Sequence, residues 1–179
     1  PASGEDFHHG LLAFVLTAGS LLTTDAAFAN EPPLVEHQPA QCSLAGKPSE
    51  LCASVFDDGE IARVRVYFKK PGEKAYLASE LTFEGARFCT TLPAGKVGKV
   101  KAFEYYIEAT DTEIEKKRTS NYLLRLQTEQ ECAFPAVQKD AAKASSIRIY
   151  GTSPKQGSKI PKYLDPAGVT FVPAPGAKR

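Results

Sequence analysis

The most constraining feature of this chain is Ile61–Lys69 (IARVRVYFK), where apolar and charged side chains alternate. Successive side chains of a strand leave opposite faces. Val64, Val66 and Phe68 therefore share one side, and Arg63, Arg65, Tyr67 and Lys69 the other. Only a half-buried β-strand satisfies that pattern. Ile61 breaks strict alternation and predicts a small bulge or turn residue where the strand begins. Residues 101–110 repeat the period, with Phe103, Tyr105, Ile107 and Ala109 inward and Glu104, Tyr106 and Glu108 outward.

Other segments carry the same signal less strongly. Residues 33–38 read as a first strand and 50–57 as a second, with Leu51, Ala53 and Val55 on one face. Residues 75–81, 86–92 (ended by Pro93) and 118–127 (Tyr122, Leu124 and Leu126 inward) complete the series. Turn signals separate most of them: Asp57-Asp58-Gly59, Pro71-Gly72 and Glu84-Gly85. No amphipathic helix lies between the strands, which excludes βαβ units and a parallel sheet. The expectation is an all-β domain over residues 30–132, a seven-stranded antiparallel β-sandwich.

The two ends read differently. Leu11 to Leu22 is an apolar run followed by Ala27-Phe28-Ala29, the small-x-small pattern of a cleaved secretory signal. Residues 1–29 are accordingly read as a signal peptide whose start is incomplete. The run falls short of the roughly 20 apolar residues that span a bilayer, so no stable membrane span is expected after cleavage. Residues 133–179 carry eight basic and two acidic side chains, whereas 30–132 carry fourteen and sixteen. A near-neutral domain is thus followed by a linker and a basic tail. Within that tail, residues 147–150 and 169–172 could pair as a small hairpin. Lys155, Lys159, Lys162, Lys178 and Arg179 could meet phosphate, acidic glycan or a membrane surface, or simply solubilise the chain.

Leu51-x-Ala53-x-Val55-x-Asp57-Asp58-Gly59, followed by Ile61-Ala62-Arg63-Val64-x-Val66-Tyr67-Phe68, resembles strands B and C of bacterial immunoglobulin-like and fibronectin type III-like domains. Leu92-Pro93-Ala94 is similar to the end of their strand E, and Glu104-Tyr105-Tyr106-Ile107-Glu108-Ala109-Thr110-Asp111 to their strand F. The resemblance covers roughly residues 33–127. It implies that Tyr105 forms a tyrosine corner, its hydroxyl bonded to upstream backbone. The loop after Asp111 departs from the family: it lacks the Gly-Asn turn often found there and is charged.

All four cysteines, Cys42, Cys52, Cys89 and Cys132, follow the signal, and an even count in an exported chain favours two disulfides. A zinc site is opposed by the absence of any C-x-x-C pair. In the resembled fold strands B and E are neighbours, which implies Cys52–Cys89 and, by remainder, Cys42–Cys132. Cys42–Cys52 with Cys89–Cys132 remains open.

Reaction chemistry is poorly provided for. His37 is the sole histidine after the signal, no nucleophile or phosphate-loop motif occurs, and no cofactor is implied. Two surfaces are candidates for binding. Asp57, Asp58, Glu60 and Asp111 would gather at one apex of the resembled fold, where hard oxygens hold calcium or merely shape turns. Tyr67 and Tyr106 point outward on adjacent strands and could form a sugar-stacking patch or ordinary cross-strand packing. The expected function is a non-catalytic module, periplasmic or secreted, serving protein interaction, adhesion or structural spacing at the cell envelope. The partner is an unknown protein or envelope component rather than nucleic acid. The alternative is an accessory or carbohydrate-binding module using Tyr67 and Tyr106.

Overall fold

The computed structural model describes residues 31–138 and 146–178. The expected signal peptide, 1–29, lies outside them, as does most of the expected linker. The described chain is all-β. Its strands are β1 (Leu34–Glu36), β2 (Cys42–Leu44), β3 (Ser49–Phe56), β4 (Ile61–Lys69), β5 (Leu77–Glu84), β6 (Arg87–Leu92), β7 (Ala102–Asp111), β8 (Lys116–Arg118), β9 (Tyr122–Gln127), β10 (Ile147–Gly151) and β11 (Val169–Val172), with one 3₁₀ turn at Pro154–Gln156.

Where a seven-stranded antiparallel sandwich is expected, the described residues form one curled, hydrogen-bonded sheet of eleven strands. It runs β1-β3-β6-β5-β4-β7-β9-β2, with β8 on β7 and β10 joining β5 to β11. The physical reason is β5. Its first part, Leu77 to Leu81, pairs antiparallel with β4, while Thr82 to Glu84 pair with β6. One strand therefore belongs to both halves of the sheet. The change of partner coincides with a change of environment, since Leu77, Ala78, Ser79 and Leu81 are buried and Thr82, Phe83 and Glu84 are exposed.

The alternation in β4 and β7 directs the core as expected. Val64, Val66 and Phe68 meet Phe103, Tyr105 and Ile107 in one apolar layer with Leu51, Leu92 and Leu124. Phe68 and Phe103 pack edge to face with centroids 5.7 Å apart. The β4–β7 register shifts between Ile61 and Arg63, at the expected irregularity. Cys52 stands directly opposite Cys89 on β3 and β6 and bonds to it. Cys42 bonds to Cys132 across 90 residues and fastens β2, which runs parallel to β9.

The segment after residue 145 does not form the expected hairpin. β10 and β11 run parallel, and β10 also pairs antiparallel with the start of β5. A parallel pair needs a long return rather than a tight turn, and residues 152–168 supply it. This region contributes Ile147, Ile149 and Leu164 to the same apolar layer. Leu164 docks beside Gly95, where a Cβ would fall 2.5 Å from Leu126 and 2.6 Å from Val100, so only glycine fits.

Ile149 is fully buried. Ile149→Ala is therefore expected to lower global stability by about 2–5 kcal/mol in chemical denaturation, with one cooperative transition. A change near zero would mean that the segment is only appended to the fold.

Candidate interaction surface

The outer face of β4 and β7 carries the side chains that alternation turns away from the core. Tyr67 and Tyr106 are direct register partners, and their rings stack at 4.9 Å with an interplanar angle of 14°. The Arg118 guanidinium of β8 lies 5.0 Å from the Tyr106 centroid, and Tyr76 meets the same ring edge-on at 5.1 Å. Lys69 sits 4.6 Å from the Tyr76 ring. Glu104 accepts from the Tyr76 hydroxyl at 2.8 Å and pairs with Lys69 at 3.6 Å. Burial, then the Glu104 carboxylate, push the Tyr76 hydroxyl up to about 12. Burial, then Glu108, also raise Tyr106. These phenols are neutral hydrogen-bond donors at ordinary pH. The stack joins Tyr67 to Tyr106 across the two strands, and Arg118 adds a cation to the Tyr106 ring.

The acidic apex is arranged around backbone. Asp57 Oδ2 accepts from Gly59 N–H at 3.2 Å, and buried Asp111 Oδ1 accepts from Glu115 N–H at 2.8 Å. The Glu60 carbonyl accepts from Thr112 N–H. Among the described residues no group of three or more His, Cys, Asp or Glu is disposed to hold a metal. At the tip of the β7–β8 hairpin stands Ile114, with φ of 75° and 75% exposure. A left-handed backbone opposes a β-branched side chain, and this side chain receives little burial in return.

His37 follows β1 and borders a cleft of about 680 Å³ together with Glu50 and Arg87. Its Nδ1–H donates to the Cys52 carbonyl at 2.7 Å, which leaves Nε2 to accept from the Tyr105 hydroxyl at 2.8 Å. The expected tyrosine corner is corrected here. Tyr105 bonds a side chain rather than upstream backbone, because the chain leaving β1 lays an imidazole over the buried phenol. Burial, then Tyr122, hold the Tyr105 hydroxyl far above its usual range. With both nitrogens engaged, His37 acts as a strut between two halves of the sheet.

Tyr76, Arg118 and Ile114 were not among the residues expected at a site. Tyr76 precedes a weakly patterned strand, and Arg118 and Ile114 lie in the charged loop that departs from the resembled family. That departure was the available signal.

No family model matches the chain, and no curated protein matches it. Among solved structures it is similar to the crystal structure of a point variant of the SrpA adhesin from Streptococcus sanguinis, with 18% identity and a TM-score of 0.40 over 70% of this chain and 72% of that one. Similarity at this level leaves binding to be read from the residues themselves.

Burial lowers the His37 pKa from 6.5, with the Cys52 carbonyl partly offsetting it. The unfolded chain therefore takes up the proton first. This contribution to stability is complete above 6.5 and is lost as pH falls towards the folded value. The urea midpoint should drop between about pH 7 and about pH 5, and His37→Gln should flatten that slope. An unchanged slope in the variant would refute the strut.

Proposed function

We propose that the chain is a non-catalytic, exported module of immunoglobulin or fibronectin type III-like kind, periplasmic or secreted, that binds a protein component of the cell envelope through the β7–β8 hairpin and the adjoining face of β4. Three features support the reading. Side chains of β3 and β6 share one apolar layer with those of β4, β7 and β9, which is consistent with such a sandwich. All four cysteines are bridged, which suits an oxidising compartment. His37, the one histidine among the described residues, and the buried phenol beside it are committed to holding the fold together.

The observation that carries the proposal is Ile114. An apolar, β-branched side chain held exposed in a left-handed backbone costs about 1–3 kcal/mol and gains little burial among the described residues. A contact outside the chain gives it a purpose. Arg118 on the same hairpin and the nearby tyrosines are residue types enriched at protein interfaces. The alternative, a carbohydrate-binding module using Tyr67 and Tyr106, is disfavoured because those rings pack against each other and Arg118.

The test uses labelled, oxidised protein titrated onto envelope preparations. Ile114→Gly should raise stability by about 1 kcal/mol. The same change should weaken binding by roughly tenfold, as should Arg118→Glu. Saturable binding untouched by both changes, or none by the wild type, would end the proposal. Glycan-array binding lost on Tyr67→Ala and Tyr106→Ala would favour the alternative.

A further inference from the structure

The return between β10 and β11 folds beside the β4–β5 turn, and together they border a groove of about 1240 Å³. Lys70, Lys74, Lys99, Lys155 and Lys162 line it, against the single carboxylate of Glu73. These lysines come from three stretches far apart in sequence, so their convergence is a product of the fold. None of the five makes an ion pair among the described residues.

The walls are fastened. Gln156 Nε2 donates to the Tyr76 carbonyl at 2.8 Å, and the Thr152 hydroxyl donates to the same oxygen. Gln156 Oε1 accepts from the Thr152 and Ser153 N–H groups at 2.7 and 3.0 Å, which fixes the 3₁₀ turn carrying Lys155. On the far side, Lys96 N–H donates to the Tyr163 carbonyl at 2.9 Å, next to Lys162. The expected solubilising tail is thus folded over the β4–β5 turn, and part of its charge is gathered in one concavity.

Like charges around a concavity repel one another, and a ligand carrying several anionic groups relieves that repulsion. We propose that this groove binds a linear acidic polysaccharide, one bearing repeated carboxylate or sulfate groups. Lysine supplies compact single charges, which suit separate anions along a chain; the planar fork of arginine, suited to bidentate phosphate recognition, is absent from the lining. A single phosphate would leave most of the five lysines unanswered, and a flat bilayer cannot follow a concave wall. The proposal is independent of the hairpin surface, since it uses none of Tyr67, Tyr106, Ile114 or Arg118.

The full chain is titrated with heparin and with polygalacturonate at low and at physiological salt. Phosphatidylglycerol–phosphatidylcholine vesicles and a single-stranded oligonucleotide serve as rivals. Saturable polysaccharide binding that weakens with salt is expected. Lys74→Glu combined with Lys155→Glu should reduce it by roughly tenfold or more, with the thermal midpoint retained because both side chains are exposed. The charge-matched control, Lys116→Glu with Lys117→Glu on exposed β8, should change it less than about twofold. Equal loss in both pairs would show that overall charge, not the groove, is responsible, and would overturn the proposal. So would the absence of saturable binding to either polysaccharide, or tighter binding to the vesicles or the oligonucleotide.

Discussion

The structure depends on one strand changing partners. β5 gives its buried first part to β4 and its exposed last part to β6, and so is the strand through which the ladder passes from one half to the other. Between those halves lies the apolar layer built on Phe68, Phe103 and Ile107. Burying such side chains stabilises by about 1.5–3 kcal/mol each, and the layer forms only if the curl brings both halves together. The Cys52–Cys89 bridge holds one half in register. The Cys42–Cys132 bridge fastens short β2 at the far end of the path; in the chain-entropy view, closing a 90-residue loop is worth about 4–5 kcal/mol.

Residues of the types that carry chemistry elsewhere are drawn into this scaffold. Tyr105 is too deeply buried to leave its hydroxyl unpaired, and the His37 ring answers it while also reaching the Cys52 carbonyl. The carboxylates of Asp57 and Asp111 accept from backbone in the turns beside them. Among the side chains left facing outward are the tyrosines and cations of the β4–β7 face, the strained Ile114, and the lysines that meet in a groove no single stretch of sequence contains.

Much of the fold was legible in the sequence because alternation reports burial directly. β4 and β7 read correctly, down to the irregularity at Ile61, because each is long enough to repeat its period several times. β2 and β8 did not, since all three residues of β2 are buried and all three of β8 are exposed, so neither alternates. The partner change in β5 was invisible because it depends on which neighbours arrive, not on the strand's own pattern. Residues 147–150 and 169–172 showed their strand character and their pairing, but the parallel direction of that pair and the second partner, β5, are set by a long return whose path leaves no local mark. The tyrosine patch was legible as a juxtaposition of Tyr67 and Tyr106. The cation that packs on Tyr106 comes from Arg118, in a loop with no pattern to read.

The central claim is that β10 belongs to the same cooperative layer as β4 and β7. Native-state amide hydrogen exchange tests it directly. The protected amides of Ile147–Tyr150 should exchange only through global unfolding, with the same opening free energy as those of Val64–Phe68 and Phe103–Ile107. Exchange of β10 through a smaller local opening, while β4 and β7 stay protected, would contradict the account.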